Sequence, residues 1–274
     1  MPRTLPVESN NQWFQRVEAL RRNRKKRSKD GAFVVEGVRS LNQLEANAAW
    51  GIEALLYSPD HPLSDWAQDR LDSSRAAVHL EVSAPLMAEL SDKDEPSELL
   101  AVVTIPDDDA GRLGQGPNPL YVLVDQPSLS GNLGSLIRSC DALGVDGVVI
   151  FGHAADLYDP RTVRGAAGSL FSQPVVRFNT WGTLWGWVDD LRARMPEVQL
   201  VGTTASGGVW PDAITFTKPT VLMVGNETVG LSHKIRELCD TLASIPMHGS
   251  ASSLNLAAAA TAILYEAVRQ RKGS

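Results

Sequence analysis

The sequence predicts a two-module α/β protein, a small mixed module followed by a larger one built on a mostly parallel sheet. Three observations carry this. The 274 residues exceed one typical domain. Short apolar runs alternate with helical periodicity along nearly the whole chain. The segment "PDDDAGRLGQGPNP" (106–119) breaks that rhythm with three Gly, three Pro and three Asp. It is expected to be a linker or long exposed turn, with modules at 1–106 and 119–274 and residues 107–118 between them.

In the first module, "NNQWFQRVEALRR" sets Trp13, Val17 and Leu20 at i, i+4 and i+7 behind a capping Asn, a short amphipathic helix. "FVVEG" follows as a strand, then a helix with Val38, Leu41 and Leu44 on one face. "IEALLY" is the next strand and 63–74 a helix. "AVHLEV", a short helix at "SAPLMAEL" and the apolar strand "LLAVVTI" complete the module. In the second module the strands are "LYVLV", "DGVVIF", "PVVRF", "VQLVGT", "TVLMVG" and "LASIP", with helices over 132–143, 181–194, 232–239 and 253–271. Continuous apolar strands separated by helices indicate a parallel sheet covered on both faces. Such sheets take ligands beyond the carboxyl ends of their strands, here the loops after Val124, Gly202, Val224 and Ile245.

Composition narrows the chemistry. A 43% hydrophobic content with mixed charge fits a globular chain with a substantial core. No run of about 18 apolar residues exists, so no membrane span is expected. "MPRTLPVESNNQW" lacks the apolar stretch of a secretory signal. Cys140 and Cys239, both in predicted helices, point to reduced thiols in a cytoplasmic protein. No dinucleotide fingerprint joins a strand to a helix, and neither a P-loop nor a G-x-S-x-G elbow occurs. The five His are scattered without ligand spacing, so no metal is expected. Hydrolase, kinase and dinucleotide oxidoreductase all lose their usual parts.

Charge is unevenly distributed. Residues 1–30 hold nine Lys/Arg against three acidic residues, a net of +6, inside a chain whose net charge is −6. Seven of the nine residues in "RRNRKKRSK" are cationic: Arg21, Arg22, Arg24, Lys25, Lys26, Arg27 and Lys29. Such a block can be a solvated tail. Held between an amphipathic helix and the apolar "AFVVEG", it also suits an edge that binds RNA phosphates without reading sequence.

Three strand-end loops stand out. In "QPSLSGNLGSLIRSCDALG", Asn132 sits where a helix would be capped, and Arg138 lies six residues on, able to point back towards the loop. The alternative is a capped helix with one exposed Arg, although an Arg on so apolar a stretch is expected to have a partner. In "GNETVGLS", Gly225 and Gly230 bracket Asn226 and Glu227. A carboxylate ending a buried strand must be hydrogen-bonded or paired; alternatively Asn226 or Ser232 caps a helix and Glu227 is solvated. In "PMHGSASSLNLAAAA", small and polar residues lead through Ser253, Leu254 and Asn255 into an alanine-rich helix, which Ser252 or Ser253 could simply cap.

N-x-x-x-x-x-R, G-N-E-x-x-G-L-S and I-P-M-x-G-x-x-x-S-L-N occur in that order. Together they resemble the SpoU (TrmH-like) branch of the SPOUT RNA 2′-O-ribose methyltransferases. The resemblance covers about 119–271 and extends to the first module, whose "FVVEGVRSL" looks like an L30e-like RNA-binding domain. It is nearest to members that methylate large-subunit (23S) ribosomal RNA in antibiotic resistance of the avilamycin type. The resemblance implies a C-terminal trefoil knot, a homodimer and S-adenosyl-L-methionine as methyl donor. It implies a cofactor site at Thr203, Val224, Gly225, Asn226, Gly230, Ile245, Met247 and Leu254. For catalysis it implies that Arg138 orients the ribose hydroxyl, Glu227 holds Arg138, and Asn132, Ser253 and Asn255 position the nucleotide. A guanidinium stays protonated, so Arg138 is expected to grip a phosphate and polarise the hydroxyl rather than act as a base. Arg161 and Arg164 are expected to join the basic block in RNA binding. The tryptophan-rich "WGTLWGW" (181–187) suits a subunit interface or a helix core. Thr228, Ala251 and Ala166 depart from the family pattern conservatively. Competing expectations are a transfer-RNA methyltransferase, a non-catalytic ribosome factor and a small-molecule methyltransferase. The last has no use for the basic block, and intact Arg138, Glu227 and Asn255 oppose the second.

Overall fold

The computed structural model describes residues 2–91 and 95–272. The chain forms two compact units. One comprises the residues up to Pro106 together with Tyr158–Phe171, and the other comprises Asp107–Leu157 and the residues from Ser172 onward.

The first unit contains β1 (Arg3–Val7), α1 (Gln12–Arg22), α2 (Arg24–Asp30), β2 (Ala32–Glu36), α3 (Val38–Ala46), β3 (Ile52–Tyr57), α4 (Asp65–Asp72), β4 (Val78–Val82), α5 (Ala84–Leu90) and β5 (Leu99–Thr104). Its sheet runs β1-β4-β3-β5-β2, with β1 and β3 parallel to β4 and β5 antiparallel to both its neighbours. Strand β1 is not anticipated by the sequence. It lies at a sheet edge, where Pro6 can lack an amide without breaking a central ladder.

Asn11 caps α1 as expected, its Oδ1 accepting from the Trp13 and Phe14 amides. Phe14, Val17 and Leu20 are the buried face, so Phe14 rather than Trp13 enters the core beside Val34, Leu56 and Val102. The basic stretch is a helix rather than a tail. Asn23 caps α2 through the Lys25 and Lys26 amides, and Gly31 ends it at φ +61°, which favours glycine. The unit's second segment joins it through rings and backbone. Phe33 lies 4.7 Å from Tyr158, and the Phe171 carbonyl accepts from Asn47 Nδ2 at 2.7 Å and Trp50 Nε1 at 3.2 Å.

The second unit starts with β6 (Leu120–Asp125), α6 (Ser130–Ala142) and β7 (Gly147–Phe151). Helix α7 (Pro160–Ala166), which the periodicity does not place although Asp159 caps it and Pro160 opens it, comes next in the chain but belongs to the first unit. The second unit resumes with β8 (Val175–Phe178), α8 (Trp181–Arg194), β9 (Gln199–Thr203), β10 (Thr220–Val224), α9 (His233–Leu238), β11 (Thr241–Ala243) and α10 (Leu256–Lys272). The sheet order is β11-β9-β10-β6-β7-β8, and every pairing is parallel. The chain runs outward from β6 through β7 to β8, then crosses to β9 and returns to place β10 beside β6. That reversal opens a crevice at the carboxyl ends of the two central strands, where Val124 pairs with Val224.

Residues 107–118 are largely exposed, as expected of such a stretch, but they are docked on the second unit. Leu113 is buried, Asp108 pairs with Arg177 at 2.8 Å, and the Gly114 amide donates to the Asp146 carbonyl. A single apolar residue in a polar stretch suffices to dock it, because the bare α-carbon of Gly147 leaves room for the Leu113 side chain. The tryptophans of α8 face inward: Trp187 packs against Tyr121 and Phe178, and Trp181 against Phe151.

Candidate active site

Beyond β6 and β10 the chain closes on itself through side chains. Asn226 Nδ2 donates to the Gln126 carbonyl at 2.7 Å, and its Oδ1 accepts from the Thr228 and Val229 amides. Asn226 and Gly230 exchange backbone hydrogen bonds at 3.0 Å, with Gly230 at φ +71°. Residues 226–230 are therefore a closed turn, and Asn226 shapes it instead of capping a helix. Asp125, buried at the end of β6, accepts from the Ser232 amide at 2.7 Å and fixes the far side of the turn.

The turn presents Glu227 to the start of α6. Its Oε2 accepts from the Ser128 amide at 2.9 Å and the Ser128 hydroxyl at 2.7 Å; its Oε1 accepts from the Leu129 amide at 3.2 Å and from Asn132 Nδ2 at 2.9 Å. Burial alone would raise the Glu227 carboxyl, but the Ser128 amide, the Asn132 amide and the Ser128 hydroxyl outweigh it and hold the group below its ordinary value. Asn132 Oδ1 in turn accepts from Asn255 Nδ2 at 2.8 Å, and Asn255 Oδ1 caps α10 through the Ala257 amide at 2.9 Å. Thr261 of α10 donates to the Ser139 hydroxyl of α6 at 2.7 Å. All three loops singled out in the sequence thus meet through Glu227, Asn132 and Asn255.

Several expectations need correction. Asn132 lies inside α6, whose N-cap position is Leu129; its amide is taken by Glu227 and is not a cap. Asn255, not Ser252 or Ser253, caps α10. Glu227 does not hold Arg138, because Ser128, Leu129 and Asn132 occupy both carboxylate oxygens. Arg138 is exposed on α6 and has no hydrogen bond or ion pair with any described residue. Two turns of helix separate it from the loop it was expected to reach.

Beside the closed turn lies a cavity of about 450 Å³. Thr203, Val224, Gly225, Asn226, Gly230, Ile245, Met247 and Leu254 all line it, as do Glu227 and Ser253. Arg138, Asn132 and Asn255 do not. Its walls pair apolar side chains from Leu231, Leu256 and Ile263 with strand-end backbone, and the packing behind that wall requires bare α-carbons. A Cβ on Gly225 would fall on the backbone of Gly230 and Leu231; one on Gly202 would come within 2.5 Å of Cys239 Sγ and 2.8 Å of Leu231 Cδ1. Volume and lining suit a nucleoside-sized ligand with an apolar base and hydrogen-bonding edges.

Comparison with known proteins agrees with this geometry. Residues 119–265 match the SpoU rRNA Methylase family, and residues 11–101 match the SpoU L30e-like domain. The chain belongs to the SpoU rRNA methylase family. It is 47% identical over 98% of its length, and 94% of the relative's, to a 23S rRNA (uridine(2479)-2′-O)-methyltransferase of Streptomyces viridochromogenes. It is 30% identical over 88% of its length, and 90% of the relative's, to the 23S rRNA (guanosine(2553)-2′-O)-methyltransferase RlmP of Bacillus subtilis. Its fold matches the crystal structure of the SpoU methyltransferase AviRb from Streptomyces viridochromogenes in complex with the cofactor AdoMet. The TM-score is 0.91, with 47% identity over 96% of this chain and 99% of that one.

Within this SpoU chain, Ser128, Leu129, Asp125, Gln126, Leu231 and Arg236 contribute to the site without having been singled out. Arg236 lines the cavity and is exposed on α9. Asp125 was legible as a carboxylate at a strand end. Nothing in a single sequence marks the Ser128 and Leu129 amides, since any residue supplies one.

The basic block divides into two sets. Arg27 is buried, its Nη1 donating to the Leu20 and Arg21 carbonyls at 2.7 and 2.9 Å, with Asp159 3.5 Å from its Nη2. Arg21 is buried and donates to the Glu89 carbonyl at 2.9 Å. These two serve the fold: Arg27 stitches the α1–α2 corner and Arg21 ties α1 to the end of α5, each through carbonyls in the last turn of a helix. Arg22, Arg24, Lys25 and Lys29 are exposed, and Lys26 is half-buried, paired with Asp30 at 3.0 Å. Arg161 and Arg164 are exposed on α7. Among the described residues, no cluster of His, Cys, Asp or Glu could hold a metal ion, and no helix is long and apolar enough to cross a membrane.

Proposed function

We propose that this protein transfers a methyl group from S-adenosyl-L-methionine to a ribose 2′-hydroxyl of large-subunit (23S) ribosomal RNA. The observation that carries the proposal is the hydrogen-bonded convergence of the three strand-end loops, Glu227 to Asn132 to Asn255, beside a nucleoside-sized cavity at the carboxyl edge of the sheet.

The donor, when bound, supplies an electrophilic methyl group on a sulfonium. The cavity residues hold it: strand-end amides and carbonyls around Gly225, Ile245 and Met247 satisfy an adenine edge, and Val224, Leu254 and Leu256 flank its faces. Glu227 fixes the end of α6, and Asn132, Ser253 and Asn255 position the acceptor nucleotide. Arg138 grips the adjacent phosphate and polarises the hydroxyl, a task suited to a permanently charged fork.

Arg138 lies outside the cavity and has no hydrogen-bond or ion-pair partner among the described residues, which supports a homodimer in which each site is completed at a subunit interface. The proposal assigns residues 1–106 to RNA binding, 107–118 to the connection and 119–274 to methyl transfer with a C-terminal knot. The outward cations Arg22, Arg24, Lys25, Lys26, Lys29, Arg161 and Arg164 contact RNA phosphates. The L30e-like domain favours a large folded ribosomal target over transfer RNA. Cytoplasmic action and resistance of the avilamycin type follow from the same assignment.

Labelled S-adenosyl-L-methionine supplied with 23S ribosomal RNA or transfer RNA, followed by alkaline digestion, tests the proposal. A labelled alkali-resistant dinucleotide from ribosomal RNA is expected. Label in a base, or in transfer RNA alone, overturns it.

A further inference from the structure

The first unit has a cavity of its own, about 380 Å³, lined only by residues of that unit. Helix α3 begins in its wall. Gly37, at φ +102°, occupies the N-cap position and offers no side chain to the first-turn amides of this nine-residue helix. Those amides and the helix dipole favour an anion. Ser40 lines the cavity, is only 4% exposed, and its hydroxyl has no hydrogen-bond partner among the described residues. The hydroxyl is left open to the cavity, where a ligand oxygen can supply its partner.

Charge at the cavity points the same way. Arg39 from α3 and Arg164 from α7 line it, both exposed and both without an ion pair to a described residue. Arg21 lines it as well, anchored to the Glu89 carbonyl. Among the described lining residues the one carboxylate is Glu36, which accepts from the Ser91 hydroxyl at 2.5 Å. The lining therefore keeps a cationic excess next to uncapped amides and a free hydroxyl, a donor set for a tetrahedral oxyanion. The remaining wall is aliphatic, with no aromatic ring or side-chain amide that could read a base. Such a site positions a nucleic acid without selecting sequence.

We infer that this cavity seats a backbone phosphate of the RNA substrate, held by Arg39, Arg164, Ser40 and the α3 amides. The inference rests on the RNA methyltransferase proposal and names a phosphate subsite for it.

The test compares the full-length protein with an Arg39→Gln/Arg164→Gln variant, using a fluorescent 23S ribosomal RNA transcript and anisotropy between about 50 and 200 mM salt. Both arginines are exposed, so folding is preserved, and equal S-adenosyl-L-methionine affinity confirms it. The slope of log affinity against log salt is expected to fall by about one, and the RNA KM to rise by about tenfold with kcat nearly constant. Arg39→Lys with wild-type Arg164 should keep the slope. An unchanged slope and KM in the double variant overturns the inference. So does binding of inorganic phosphate, lost in the double variant, while its RNA slope stays at the wild-type value; the cavity is then a site for a free anion. Anisotropy needs no turnover, so failure here is distinct from a failure to methylate RNA, which would sink the functional proposal instead.

Discussion

The Asn255 amide donates to the Asn132 side-chain carbonyl at 2.8 Å, across 123 positions of sequence. The same Asn132 donates to Glu227 at 2.9 Å. One side chain thus joins the start of α10, the start of α6 and the turn after β10, and a change at one of the three displaces the others.

Asn132→Ala should lower stability by about 2–4.5 kcal/mol, because it removes one neutral hydrogen bond and one to a charged carboxylate. A double-mutant cycle with Asn255→Ala, read by urea unfolding, should give a coupling energy of at least about 0.5 kcal/mol. Additive losses would mean that the two residues are not paired in solution.

Arg138→Ala should leave stability within about 0.5 kcal/mol of wild type, since Arg138 is exposed and makes no side-chain hydrogen bond or ion pair with a described residue. Methyl transfer should be lost while S-adenosyl-L-methionine affinity, measured by calorimetry, is kept. Arg138→Lys should recover little activity, because an ammonium cannot form the two-pronged contact. Loss of cofactor binding would place Arg138 in the wrong role.

Gly225→Ala should abolish cofactor binding and destabilise the second unit. The added methyl meets the Gly230 and Leu231 backbone, which cannot rotate away as a side chain could. Gly131→Ala is the control, since nothing lies within 4 Å of its added carbon. Equal cofactor affinities in the two variants would contradict the packing described.

Glu227 gives a pH dependence of defined sign. Its folded-state value is held below 4.5, so its contribution to stability is complete above the unfolded value and is lost as pH falls through the folded one. Melting temperatures of wild type should drop on acidification below about pH 4.5 more steeply than those of Glu227→Gln, with parallel curves at higher pH. A steeper acid limb in the variant would reverse the assignment.

Both thiols should resist alkylation in the folded protein. Burial and then Asp141 push Cys140 far up, and burial and then Asp240 push Cys239 up to about 11, leaving little thiolate at neutral pH. Mass spectrometry after iodoacetamide should find adducts only once the protein is unfolded.

Local pattern made much of this legible. The strand cores, the parallel second sheet and the Asn11 cap of α1 follow from periodicity and from residue types whose preference acts within a few positions. The strand-end rule led to loops that converge beside a cavity, and Gly225, Asn226, Glu227 and Ser253, which line it, stand in those loops. Strand β1 and helix α7 escaped because each is short, and each is stabilised by partners far along the chain: β4 for the first and β2 for the second.

What the sequence determined by itself was which segments become strands and helices, where the strand-end loops fall and which chemistries are absent, since these depend on local propensity and on the identities of the residues present. Only the tertiary structure decided who pairs with whom. It gave Glu227 to Ser128, Leu129 and Asn132 rather than to Arg138, turned Arg21 and Arg27 inward from the basic block, and docked 107–118 by Leu113. Each of those choices is a competition among distant groups for the same hydrogen bond or the same volume, and a chain read one residue at a time holds no record of its outcome.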